Sequence, residues 1–307
     1  MFIINPDPYS LPAYRIGPFR TIDLSVNHCL PDSDLIDEYF KERFRGRDYI
    51  YTENGRKAIN IALASYNLKK DDVVTILTTS GNFYISGCVT FEIEKFCKWS
   101  RDIKPETKIL FVNHEFGYPF ADLQKLKDYK LPIIEDCAGS FFSNDENETI
   151  GKTGDFVIYS FPKMFPLQVG GLLLSDQKGS IDTQDQLDNL TCRYVKNVLS
   201  AQIVNEEEII RKRFYNYESL KNLFNSLGFS ERFSSEPGAV PGVFMFKTDN
   251  CQIDLPELKK YYWAHGVQCS VFYGEDAFFI PVHQALTVQD LSYFYEIMKS
   301  FIQKISK

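Results

Sequence analysis

The sequence predicts an α/β protein with a mostly parallel central sheet and flanking helices, followed by a smaller C-terminal α+β domain. Three observations predict it. Between residues 54 and 175, strand-like and helix-like stretches alternate, which is the pattern of a parallel sheet built from βαβ units. Several of the strand-like stretches run into a polar residue at their carboxyl end. After about residue 200 the alternation stops, and one long helix introduces a different pattern.

The first helix-like stretch, "NGRKAINIALASYNL" (54–68), places Ala58, Ile59, Ile61, Ala62, Leu63 and Tyr66 on one broad face, with Asn54 and Gly55 suited to its start. "VVTIL" (73–77) reads as a short buried strand and "ISGCVTFEIEKFCKW" (85–99) as a helix. A strand at 109–112, a helix at 121–129 and a strand at 131–134 follow. "DFVIYSF" (155–161) and "GGLLLS" (170–175) are two further strands. The stretch 205–228 is one long helix, with acids in its first turn and Gly228 as its stop. A loop is expected over 234–242, then "VFMFKT" (243–248) and helices at 255–266 and 288–303. The expected division is a large cofactor-binding domain over 1–204, then a linking helix and small α+β domain over 205–307.

Composition narrows the function. The chain has 307 residues, a net charge of −7 and no long run of either sign. A nucleic-acid binder would more often carry a basic stripe, and none is visible. No apolar run approaches a membrane span. The start lacks a basic segment followed by an apolar one, so no signal peptide is visible, and the odd number of scattered cysteines suits a reduced, cytoplasmic protein, which is expected. The seven cysteines are scattered without C-x-x-C spacing, and the four histidines are scattered too. Neither a disulfide framework nor a zinc site is expected.

The polar strand ends carry the functional argument. "ILFV" runs into Asn113 and His114, "LPII" into Glu135 and Asp136, and "DFVIYSF" presents Ser160 and then Lys163. Open α/β sheets bind ligands outside the carboxyl ends of their strands. The helix led by Asn54-Gly55-Arg56 would add free N–H groups and a positive dipole end for an anion. A phosphate site, a deep acid and a semi-buried lysine together suggest pyridoxal 5'-phosphate, with Lys163 forming the Schiff base and Asp136 on the pyridine nitrogen. Burial would depress the lysine pKa and favour its nucleophilic form.

These residues resemble a known family. "IIEDCAGSF" and "GDFVIYSFPKMFPLQVGGLLLSD" are similar to the DegT/DnrJ/EryC1/StrS family of pyridoxal-phosphate-dependent sugar aminotransferases, which have fold type I. The resemblance matches Lys163 to the Schiff-base lysine, Asp136 to the ring-nitrogen acid, Ala138 to the small residue beneath the ring and Ser160 to a phosphate ligand. "NGRKAINIAL" resembles the family's phosphate-binding helix start, which places Gly55 and Arg56 at the phosphate. "GNFYISGCV" resembles the segment that supplies the stacking aromatic, Phe83 or, as second choice, Tyr84. "VNHEFGYP" resembles V-H-L-x-G-x-P, with His114 at the histidine. "FIPVHQALTVQDL" resembles the C-terminal segment. The resemblance implies an amino-acid donor, glutamate, a nucleotide-linked keto-sugar acceptor and a homodimer.

The chain departs from the family in places. Ser160 and Lys163 are closer than in most members, Gly139 stands where Gln or His is usual, and Arg56 replaces a small hydroxyl residue. An Asn-Tyr-Arg segment that a neighbouring subunit usually contributes is not found. These departures keep a second class in view, a non-catalytic homologue serving as a binding or regulatory module.

Overall fold

A computed structural model describes residues 12–177, 179, 181, 186–234, 236–249 and 252–305. Residues 1–11, on which the leader expectation rests, Ser235 of the expected loop and Cys251 lie outside the described residues. Strands β1 (Asp48–Thr52), β2 (Val73–Thr78), β3 (Lys98–Ser100), β4 (Thr107–Asn113), β5 (Ile133–Asp136), β6 (Phe156–Ser160) and β7 (Gly171–Ser175) form one seven-stranded sheet. Its order is β1-β7-β6-β5-β4-β2-β3. The run from β3 to β6 is parallel, and only β7 is reversed, pairing antiparallel with both β6 and β1.

Strand alternation makes this sheet the middle of three layers. Successive side chains point to opposite faces, and here both faces are covered. Ile109, Phe111, Ile134, Phe156, Ile158 and Leu173 pack on one side against helices α3 (Gly55–Ala64) and α4 (Gly87–Glu94). Their neighbours Leu110, Val112, Ile133, Val157, Leu172 and Leu174 pack on the other side with α2 (Leu35–Arg43) and α5 (Asn189–Ile203). Burial on both faces is why these strands read as apolar runs.

A second, antiparallel sheet has the order β8 (Val243–Lys247), β10 (Ala277–Pro281), β9 (Ser270–Val271). Helices α6 (Glu206–Asn225), α7 (Leu255–Ala264) and α8 (Val288–Ile305) share a core with it. Helix α6 contributes Ile209 to the first core and Tyr217, Leu220 and Phe224 to the second, so it bridges the two.

Several element expectations need correction. The strand expected at 131–134 is Ile133–Asp136, so Glu135 and Asp136 belong to the strand itself. The helix expected over 85–99 ends at Glu94, and residues 98–100 form β3 instead. The segment 121–129 is a 3-10 helix over Leu123–Tyr129, bracketed by left-handed Asp122 and Lys130. Strand β1, helix α2, helix α5 and strand β10 were not foreseen.

One close backbone approach shapes the site. Phe116 and Gly117 have φ of +54° and +97°. A Cβ on Gly117 would lie 2.0 Å from the Val240 carbonyl oxygen. Gly117→Ala is therefore expected to destabilise the protein by about 2–4 kcal/mol, through unfavourable positive φ and a forced backbone shift. Urea unfolding measures this, and an unchanged midpoint would show that the two segments do not meet.

Candidate active site

The parallel register lines up the polar strand ends. Thr78, Asn113 and Asp136 are Cα partners across β2, β4 and β5. Asp136 in turn pairs with Ile158, two residues before Ser160. Ser160 pairs with Gly171, which also faces Thr52 at the end of β1. The chain after Thr52 turns directly into α3, so that helix N-terminus arrives at the same edge.

Asp136 is buried and fully engaged. Its Oδ2 accepts from Asn113 Nδ2 at 2.6 Å and its Oδ1 from the Ala138 N–H at 3.0 Å. Asn113, which the sequence marks as a polar strand end without a role, lines a cleft of about 360 Å³ together with His114, Glu115, Phe116, Gly139 and Lys163. That volume lies in the range of small-molecule sites. Asp136 thus stands directly behind the cleft wall. The opposite wall comes from Gly242, Val243, Val271, Phe272 and Phe279, at and around the second sheet.

Lys163 closes a one-turn 3-10 helix, Phe161–Lys163, that follows β6 without a break. This turn is the physical form of the short Ser160-to-Lys163 spacing. Phe161, Met164, Phe165 and Leu167 are all fully buried in the first core. Phe165 packs edge-on against Phe141 at 4.9 Å. With its neighbours anchored, the lysine side chain is left outside. Lys163 is exposed on the cleft rather than semi-buried as expected, and no ion pair or hydrogen bond holds its ammonium among the described residues.

The α3 N-terminus meets Ser160. Asn54 caps the helix, its side chain accepting from the Lys57 N–H at 3.0 Å. A Cβ on Gly55 would lie 3.3 Å from Ser160 Cβ and 3.8 Å from its Oγ. A side chain there would crowd the space between the free helix N–H groups and the hydroxyl. Arg56 is exposed. These residues fit a phosphate-bearing cofactor: a helix N-terminus that glycine leaves uncrowded beside Ser160, an acid behind the cleft wall, and a free amine on the cleft, although Gly55, Arg56 and Ser160 do not themselves line it.

The aromatic and histidine candidates are placed differently. Phe83 is 73% exposed and does not line the cleft, whereas Tyr84 does. Tyr84 packs against Tyr273 at 5.1 Å, and Asn82 beside it donates to the Tyr273 carbonyl at 2.8 Å. His114 is buried with both ring nitrogens engaged. Its Nδ1 accepts from the Phe120 N–H at 2.9 Å, so Nε2 carries the proton toward Glu135 Oε2 at 3.2 Å. Glu135 also accepts from the Thr153 and Gly151 N–H groups at 2.7 and 2.8 Å. Burial alone would raise the Glu135 pKa, but His114 and the Gly154 and Gly151 N–H groups outweigh it and hold the carboxyl below its usual value. Cys137 lies with His114 and Glu135 in a group whose spacing would suit a metal. Its thiol is pushed up by burial, and the other ligand atoms already have partners.

Two further buried residues were not singled out from the sequence: Glu115, which follows His114 and lines the cleft, and His283, which does not line it. Glu115 is buried, lines the cleft and accepts from the Ser80 N–H at 2.7 Å. Burial raises its pKa. His283 repeats the His114 arrangement, with Nδ1 accepting from the Ala285 N–H at 3.3 Å and Nε2 facing the Arg15 carbonyl at 3.1 Å. Burial, then the Arg213 charge, push its pKa down from 6.5 to about 3. The unfolded chain then binds the extra proton between those values, so stability rises with pH from about 3 to 6.5 and is lost as pH falls through that window. His283→Gln is expected to flatten this part of the profile, read from urea midpoints at a series of pH values.

A family model, the DegT/DnrJ/EryC1/StrS aminotransferase family, matches residues 31–197. The chain is 24% identical over 186 residues to GDP-perosamine synthase of Escherichia coli O157:H7, covering 51% of this chain and 50% of that protein. It is 26% identical over 164 residues to dTDP-4-amino-4,6-dideoxy-D-glucose transaminase of Shigella dysenteriae, covering 48% and 44%. The chain therefore spans about half the length of these curated relatives. Among solved structures, the aminotransferase TlmJ from Streptoalloteichus hindustanus superimposes with a TM-score of 0.73 at 14% identity, covering 93% of this chain and 95% of that one. That likeness shows the fold, a fold type I aminotransferase architecture. With the family pattern laid over the sheet that carries Asp136 and Lys163, the chain belongs to the DegT/DnrJ/EryC1/StrS aminotransferase family, whose aminotransferases use pyridoxal phosphate.

Proposed function

We propose that this chain moves an amino group from an amino acid, glutamate, to a keto-sugar carried on a nucleotide, with pyridoxal 5'-phosphate as cofactor. The observation that carries the reading is the in-register edge: Asn113 lines a cleft onto which Lys163 opens, and Asp136, bonded to Asn113, stands behind it. The sugar acceptor rests on the similarity to relatives named for GDP- and dTDP-linked sugars. Residues 1–204 are read as the cofactor-holding domain and 205–307 as the smaller one, with a homodimer as the working assembly.

When bound, the cofactor supplies an electron sink for the carbon that loses a proton. Lys163 would hold it covalently, and once freed by the donor would take the proton from the donor carbon as general base. An exposed side chain without an ion-pair partner among the described residues suits both roles, because its amine has no ion pair to break before it acts. Asp136, fixed by Asn113 and Ala138, would hold a proton on the ring nitrogen. The α3 N-terminus, with Gly55, Arg56 and Ser160, would bind the phosphate. Tyr84, rather than Phe83, lines the cleft where the ring would lie.

Purified protein saturated with pyridoxal phosphate tests the reading. Added glutamate is expected to convert the bound cofactor to its aminated form, seen as loss of the long-wavelength absorbance band with release of 2-oxoglutarate. If the cofactor binds and no amino acid converts it, the aminotransferase reading is wrong. The binding-module alternative is then favoured. Among the described residues, no helix is long and apolar enough to cross a membrane.

A further inference from the structure

Arg213, on α6, is the largest fully buried side chain among the described residues. No carboxylate is paired with it in any ion pair described, and its three bonded partners are neutral. Its Nη2 donates to the Lys163 carbonyl at 3.2 Å, its Nη1 to the Pro241 carbonyl at 3.1 Å and its Nε to Gln284 Oε1 at 2.9 Å. The Gln284 amide closes the network by donating to the Met164 carbonyl at 2.8 Å.

We propose that Arg213, with Gln284, is a positioning residue that clamps the Lys163 turn to the opposite wall of the cleft. The inference rests on the reading of Lys163 as the cofactor-holding amine. Within the turn, the Met164 and Phe165 N–H groups bond back to the Phe161 carbonyl; among the described residues, the Lys163 and Met164 carbonyls find their partners in this clamp. Pro241 leads into Gly242 and then Val243 of β8, and Gln284 follows β10, so the two anchor points belong to two segments that both contribute to the far wall. One turn along α6, Asn216 donates to the His283 carbonyl at 2.9 Å and secures the same segment.

A planar fork with several fixed donors can tie three segments at once; a lysine ammonium cannot hold that geometry. A buried cation without a carboxylate partner is costly, and burial lowers the Arg213 pKa to about 9. The clamp is thus a rigid link from the second sheet to the backbone of Lys163.

Arg213→Lys keeps the charge and loses the fork. Gln284→Asn keeps the amide and shortens one arm, and it carries the same test if Arg213→Lys fails to fold. Without cofactor, amide exchange of residues 161–167 is expected to quicken at least tenfold in either variant, with β4, β5 and β6 unchanged. With pyridoxal phosphate added, borohydride trapping on Lys163, mapped by mass spectrometry, should fall several-fold, and the pH midpoint of the long-wavelength band should move. Unchanged exchange at 161–167, or a uniform rise through the whole chain, overturns the clamp. A local rise with wild-type Lys163 left unlabelled supports the clamp and instead overturns the cofactor reading.

Discussion

Lys163→Ala is expected to abolish the long-wavelength absorbance that the protein gains with pyridoxal phosphate and to lower amino transfer by at least about 10³-fold. The reason is geometric. Lys163 is the amine that the first core projects onto the cleft, because Phe161, Met164, Phe165 and Leu167 around it are buried. The same geometry predicts that the variant folds normally. An exposed side chain without a partner contributes little to stability, within about 0.5 kcal/mol. Spectra, initial rates and a thermal melt on one preparation check all three expectations. A variant that keeps the band and the rate would show that another amine does the work.

Asp136→Asn is the second large effect. The carboxylate holds the Asn113 amide and the Ala138 N–H at 2.6 and 3.0 Å from inside the sheet edge. An amide of the same shape removes the charge that would keep the ring nitrogen protonated, and it turns an N–H toward one of two existing donors. Loss of one preorganised electrostatic partner is expected to cost about 10²–10³-fold in turnover. The broken charge-assisted hydrogen bond should cost about 2 kcal/mol of stability. Stopped-flow rates with glutamate and urea midpoints measure the two separately. Full turnover in Asp136→Asn would remove this residue from the ring site, whatever happens to stability.

The candidate site was legible where chemistry follows strand ends. Asn113, Asp136 and Ser160 each close an apolar run, and parallel pairing brings such ends to one edge. Phe83 was the first choice for the ring contact, yet Tyr84 lines the cleft; the two are adjacent in an irregular loop where no periodicity says which ring turns inward. Strand β1 was missed because it is a short edge strand, five residues long, between Arg47 and Glu53. The apolar setting of Lys163 predicts its burial. That setting holds for its neighbours but not for its ammonium: a 3-10 turn sends the flanking side chains into the core and the lysine to the rim.

By itself, the sequence determined the layered α/β class and the row of reactive residues along one sheet edge, because strand burial and strand ends are local patterns. Only the tertiary structure decided which partners those residues meet. Arg213 lies 50 residues from Lys163 and Gln284 lies 120 from Met164, and no local pattern encodes such separations. They exist because α6 spans both cores and brings the second sheet against the Lys163 turn, where buried carbonyls must find donors.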